Sequence, residues 1–111
     1  MGHIAIRLLP SNLSLPDVDV RYEIPMLVAK ATGDRVRDDG YDFIDDDVMI
    51  IYLACDDPSF EVHDVIAALR SNEVCGNNIL NASVIGISTD ATTFSIVHPA
   101  NQGGEFTVTP W

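Results

Sequence analysis

The chain is short of positive charge. One lysine, Lys30, and five arginines stand against 17 acidic residues, for a net charge of −11 over 111 residues. Such a balance opposes contact with nucleic acid or with anionic lipid. Cysteine is scarce as well. Cys55 and Cys75 form no C-x-x-C pair and join no Cys/His set with zinc spacing. Two thiols read as reduced, core or near-core residues fit a cytoplasmic protein. No apolar run approaches the ~20 residues that span a bilayer. The start, Met1-Gly2-His3-Ile4-Ala5-Ile6-Arg7, has no basic region ahead of a long apolar stretch, so it does not read as a signal peptide. The sequence predicts a cytoplasmic location.

Several chemistries also lack their residues. His3, His63 and His98 are scattered, and no Ser-His-Asp or Cys-His arrangement follows from their spacing. Gly76 and Gly103-Gly104 are isolated, so no phosphate-cradling loop is present. Asp38-Asp39-Gly40-Tyr41-Asp42 has the wrong spacing for a calcium loop and no distal Glu in place. Asp triplets in turns are hydrated, which speaks against paired-carboxylate acid/base work. The expectation is a protein that is not an enzyme and holds neither cofactor nor metal.

What the chain does have is an ordinary apolar content, 47%, enough for one globular domain over residues 1–111. Its dominant stretch runs from Asp34 to Asp64. Eleven acids there face only Arg35 and Arg37, which gives nine of the eleven net negative charges. The same stretch holds the most apolar run, Val48 to Cys55, which reads as a strand buried on both faces.

Taken in order, residues 3–9 alternate as a strand. Residues 17–32 carry two signals. Val18, Val20, Tyr22 and Ile24 alternate as in a strand, whereas Val18, Tyr22, Met26 and Ala29 are spaced as in a helix. Pro25 suits a first helical turn and Gly33 a helix stop. A helix over at least 24–32 is favoured, with a strand as the alternative. Arg35 to Phe43 reads as an exposed strand, hairpinned to 48–55 through Asp45-Asp46-Asp47. Asp57 as N-cap and Pro58 at the first position open a second helix that Asn72 closes. Strands follow over 79–88, 93–98 and 105–109. The order is β-α-β-β-α-β plus one or two C-terminal strands, an α+β chain of ferredoxin-like sandwich type.

The functional signal is a surface. Tyr41 and Phe43 sit among Asp38, Asp39, Asp42 and Asp45. Aromatic anchors with complementary charge are what a binder of a basic protein needs. The competing explanation is that the rings point inward and the aspartates keep an edge strand soluble. The candidate partner-binding residues are Asp38, Asp39, Tyr41, Asp42, Phe43, Asp45, Asp46, Asp47, Asp56, Glu61 and Asp64.

In size, acidity and element order the chain resembles the small cytoplasmic immunity proteins of bacterial toxin systems, such as contact-dependent growth inhibition. The likeness rests on Gly40-Tyr41-Asp42-Phe43-Ile44-Asp45-Asp46-Asp47, then Val48 to Ala54, then Asp57-Pro58 and a helix. It spans about residues 20–90 and carries no functional residue across. It implies a protein that binds and neutralises a cognate toxin, often a cationic nuclease domain. The alternative class is a small dimeric α/β-barrel enzyme or ligand-binding domain, with Tyr52, His63 or His98 lining a pocket. Homodimerisation stays open.

Overall fold

The computed structural model describes residues 2–15, 17, 19–44, 48–99 and 102–108. Within them the chain forms strand β1 (Gly2–Leu8), helix α1 (Val20–Thr32), β2 (Arg37–Ile44), β3 (Val48–Cys55), α2 (Pro58–Ser71), β4 (Ser83–Ser88), β5 (Thr93–His98) and β6 (Glu105–Thr107). The six strands make one sheet in the order β2-β3-β1-β4-β5-β6. Every neighbouring pair is antiparallel. The α+β class expected from the sequence is present.

β1 lies inside the sheet, with Ile4, Ile6 and Leu8 buried on one face and Ala5 on the other, where Arg7 reaches solvent. Ile4, Ile6 and Leu8 pair with Leu53, Ile51 and Met49 of β3. All six side chains join one core with Val20, Ile24 and Val28 of α1 and Val62, Val65 and Leu69 of α2. Each fully buried aliphatic side chain is worth roughly 1.5–3 kcal/mol. This core therefore seats both helices on the same face.

Strand ends shift by a residue or two from the sequence reading, with β2 beginning at Arg37 and β6 ending at Thr107, and two differences are larger. α1 starts at Val20, so Pro25 lies in its second turn and not its first. Pro25 removes the bond its N–H would have made to the Arg21 carbonyl. Val20, Ile24 and Val28 nevertheless form a fully buried i, i+4 stripe, and that burial outweighs the proline and the local strand pattern. The second difference is at 79–88, where Ile79–Ala82 is a 3-10 turn and the strand begins at Ser83. The Leu80 carbonyl lies 2.8 Å from the His98 ring nitrogen Nε2, so the turn is tied to the end of β5. The expected hairpin joins β2 to β3, while its Asp45-Asp46-Asp47 turn lies outside the described residues. α2 opens as read: the Asp57 carboxylate accepts from the Phe60 amide at 3.3 Å. The Asn72 side-chain amide donates to the Ala68 carbonyl at its far end.

The other face of the sheet has no helix among the described residues. β5 and β6 close it. Phe94 is fully buried with Ala5, Ile50 and Val108, and the Phe106 ring stacks on it at 5.4 Å. The stack lies on Gly86. A Cβ there would stand 2.8 Å from the Phe94 Cβ and 2.9 Å from the Phe106 ring. The turn between β4 and β5 is held by Asp90, whose carboxylate accepts from the Thr93 and Thr92 amides and the Ser88 hydroxyl. These donors hold its pKa well below the ordinary carboxylate value, the Thr93 amide most.

Gly86→Ala should cost about 1–3 kcal/mol, the range for overpacking a filled core. A urea midpoint equal to wild type would contradict the close approach. Asp90 gives a pH signature. Its folded pKa is lowered, so its contribution is present above the unfolded value near ~4 and fades as pH falls below it. Asp90→Asn should reduce stability at neutral pH and flatten the acid limb of the stability curve, read as urea midpoints between neutral and acid pH.

Candidate functional site

β2 is an edge strand, paired on one side to β3 alone. The register slips between Asp38, opposite Leu53, and Tyr41, opposite Ile51. One extra residue is thus bulged at Asp39-Gly40. Gly40 takes φ 95°, a conformation open to glycine and strained for other residues. The bulge sets which way the following side chains point. Tyr41 and Phe43 pair with Ile51 and Met49 and so lie on the helix side of the sheet. Because β2 is the last strand, they overhang the core and stay open to solvent.

α1 brings a third ring to them. Tyr22 meets Tyr41 edge-to-face with centroids 5.8 Å apart, and Tyr41 meets Phe43 in the same manner at 6.0 Å. The three rings are 49%, 41% and 38% exposed, and Met26, one turn after Tyr22, is 64% exposed. Arg21 lies across the two tyrosines, its guanidinium carbon 4.6 Å from the Tyr22 centroid and 5.1 Å from that of Tyr41. The tyrosine hydroxyls are 3.5 Å apart. Sharing that contact lowers the pKa of Tyr22, helped by Arg21, and raises that of Tyr41. Tyr, Arg, Met and Phe are the residue types that concentrate at protein interfaces. Here Arg21 and the three rings form one exposed patch at the α1–β2 corner, while Met26 lines a neighbouring cleft with Lys30 and Glu73.

The predicted acidic residues divide into groups. Asp38, Asp39 and Asp42 lie on β2 but divide between its faces. Asp38 stands opposite Leu53 on the helix side with the rings, whereas Asp42 stands opposite Ile50 and Asp39 turns toward His3 on the other side. The Asp38 carboxylate accepts from the Gly40 amide at 2.9 Å and Asp42 from the Phe43 amide at 2.8 Å. Asp39 stands 3.9 Å from the His3 ring. Glu61 and Asp64 form a separate group on α2. Arg35 Nε lies 3.1 Å and 3.2 Å from the two Glu61 oxygens, and its NH2 lies 3.0 Å from Asp64. Glu61 is only 6% exposed, so its charge is spent within the fold. Asp56 is exposed just before α2. It lines an open cleft of about 420 Å³ with Asp57 and Asp90. Asp45, Asp46 and Asp47 lie outside the described residues.

Sequence reasoning missed Arg21, Tyr22 and Met26. The signal was the helical spacing of Tyr22 and Met26, which reads equally as a core stripe. Phe60, 62% exposed in the first turn of α2, was missed as well.

Compared with known proteins, the chain matches no family model, no curated protein and no solved structure. The chemistry at the site therefore rests on its own residues. No group of three or more His, Cys, Asp or Glu side chains is arranged to hold a metal ion among the described residues. Burial raises the pKa of both free thiols, Cys55 and Cys75, with nearby acids adding to the effect. Neither is a ready nucleophile. No described helix is long and apolar enough to cross a membrane. The α1–β2 patch offers contact area, ring faces and charge.

The two acid groups should separate on mutation. Glu61→Gln should destabilise by about 1–2 kcal/mol, since the bond to Arg35 is charged but Arg35 is half exposed to water. Asp64→Asn, an exposed pair member, should stay within about 1 kcal/mol. Equal losses at the two sites would show that Glu61 is not the anchoring acid.

Proposed function

We propose that the chain is a protein inhibitor, an immunity protein of a bacterial toxin system, built on a ferredoxin-like core and working in the cytoplasm without catalysis. The observation that carries this reading is the exposed Tyr22–Tyr41–Phe43 ladder at the edge of the acid-rich strand β2, on a protein of net charge −11. Three large rings in water are costly for an isolated surface and useful for a partner that covers them. The acids of that strand select a basic partner and steer it, as a cationic nuclease domain would require. The order β2-β3-β1-β4 with both helices on one face supports the ferredoxin-like core.

The alternative, a dimeric α/β barrel, needs the helix-free sheet face for pairing. Phe94, Phe106 and Val108 occupy that face over Ala5 and Ile50, which argues against that form of dimer. Clefts suited to a small ligand are open, and those of about 410 and 420 Å³ lie away from the ring patch.

The direct test is to sequence the neighbouring reading frame, which the proposal expects to encode a toxin domain, and to co-express that domain with this chain. Growth should be restored and a stoichiometric complex isolated. Continued killing at full expression of both chains would overturn the proposal. Within such a complex, Tyr41→Ala should raise the dissociation rate at least about tenfold, as loss of a central anchor does. Charge reversal of Asp45, Asp46 and Asp47, or Asp38→Asn with Asp39→Asn, should instead slow association and flatten its salt dependence.

A further inference from the structure

We propose that the faces of Tyr22 and Tyr41 form a cation-accepting site, which the chain's own Arg21 occupies in the free protein and yields to an arginine or lysine of a basic partner. The inference deepens the binding role proposed above and rests on it for the source of the cation.

Three observations carry it. First, the guanidinium of Arg21 lies over both rings, at 4.6 Å and 5.1 Å, inside the ~6 Å range of cation–π attraction. The edge-to-face packing of Tyr22 and Tyr41 fixes the rings in this arrangement. Second, the two tyrosines are what hold Arg21 there, through ring contact and hydrogen bonding to its guanidinium. Its Nε is buried with no hydrogen-bond partner. Arg35, by contrast, spends its guanidinium on Glu61 and Asp64. An arginine held by tyrosines and by no ion pair among the described residues is replaceable by another cation. Third, Arg21 is a positive charge at the centre of the surface that an acidic protein would offer to a basic one. Left in place it repels the partner; moved aside, it exposes two ring faces close to the charge of Asp19. Exchange of one cation for another leaves the ring energy nearly unchanged, so Arg21 holds the pocket shape at small net cost to binding.

The effect should match one exposed cation–π contact, roughly two- to five-fold in affinity. The probe is a blocked tri-arginine peptide, titrated into the full chain at low salt while the Tyr22 and Tyr41 ring protons are followed by NMR. A blocked tri-glutamine peptide serves as the neutral control. Arg21→Gln should saturate at roughly two- to five-fold lower peptide than wild type, with upfield shifts of the peptide side-chain protons as they enter the ring faces. Arg21→Gln combined with Tyr41→Leu should lose the gain. Arg70→Gln, at the exposed end of α2, removes the same charge away from the rings and should titrate as wild type. Equal gains in Arg21→Gln and Arg70→Gln would mean that net charge alone acts, and would overturn the proposal. So would identical titrations of wild type and Arg21→Gln, or ring shifts equal to those from tri-glutamine. Unchanged amide dispersion checks that each variant is folded. Because this test needs no toxin, failure here leaves the co-expression result standing, and success here survives a failed co-expression.

Discussion

A central strand with buried residues on both sides needs cover on each, and this chain has only two described helices, both on one face; on the far side of β1, Ala5 is buried while Arg7 reaches solvent. β1 sets the problem: Ile4, Ile6 and Leu8 face the helices, while Ala5 faces away from them and is fully buried as well. The chain meets the second demand by adding β5 and β6 beyond β4. The Phe94 Cβ and the edge of the Phe106 ring then crowd Gly86, and Phe94 and Val108 pack with Ala5 and Ile50. With the middle of the helix-free face covered in this way, apolar side chains are left exposed at the rims. Tyr22, Tyr41 and Phe43 collect at the α1–β2 corner.

β2 illustrates how an edge strand can stay open without recruiting another strand. An edge offers unpaired amides to any passing strand. Here the Gly40 and Phe43 amides are spent on the carboxylates of Asp38 and Asp42 in the same strand. The Asp39-Gly40 bulge breaks the regular ladder further. Backbone recognition is thereby discouraged, which leaves side chains as the means of recognition. The two explanations weighed for the aspartates, edge protection and partner attraction, are compatible: the backbone bond uses one oxygen of each carboxylate, and the charge remains.

Local signals were legible in the sequence because they act locally. Asp57-Pro58 begins α2 through a cap three residues long, and the run Val48 to Cys55 needs only its own burial to become β3. The start of α1 was not legible. Pro25 and the alternating Val20, Tyr22 and Ile24 argue for a break there. Only the core formed by distant strands decides for a helix beginning at Val20. Closure of the second face was equally hidden, since Gly86, Phe94 and Phe106 are ordinary residues until β5 and β6 curl over the sheet. Glu61 looked like one more surface acid, and only the fold turns Arg35 back onto it.

The candidate site was half legible for the same reason. Tyr41 and Phe43 stand out on an acidic strand, but Tyr22 lies 19 residues from Tyr41 and Arg21 beside it, on a helix whose start the sequence left open. Their meeting changes the meaning of the acidic stretch. Charge dispersed along β2 is screened within about 10 Å at 0.1 M salt and gives steering more than hold. Rings held edge-to-face offer area already ordered before a partner arrives, so little entropy remains to be lost on contact. Under the proposed binding role, Tyr22, Tyr41 and Phe43 would supply the affinity and the aspartates the speed with which a basic partner arrives.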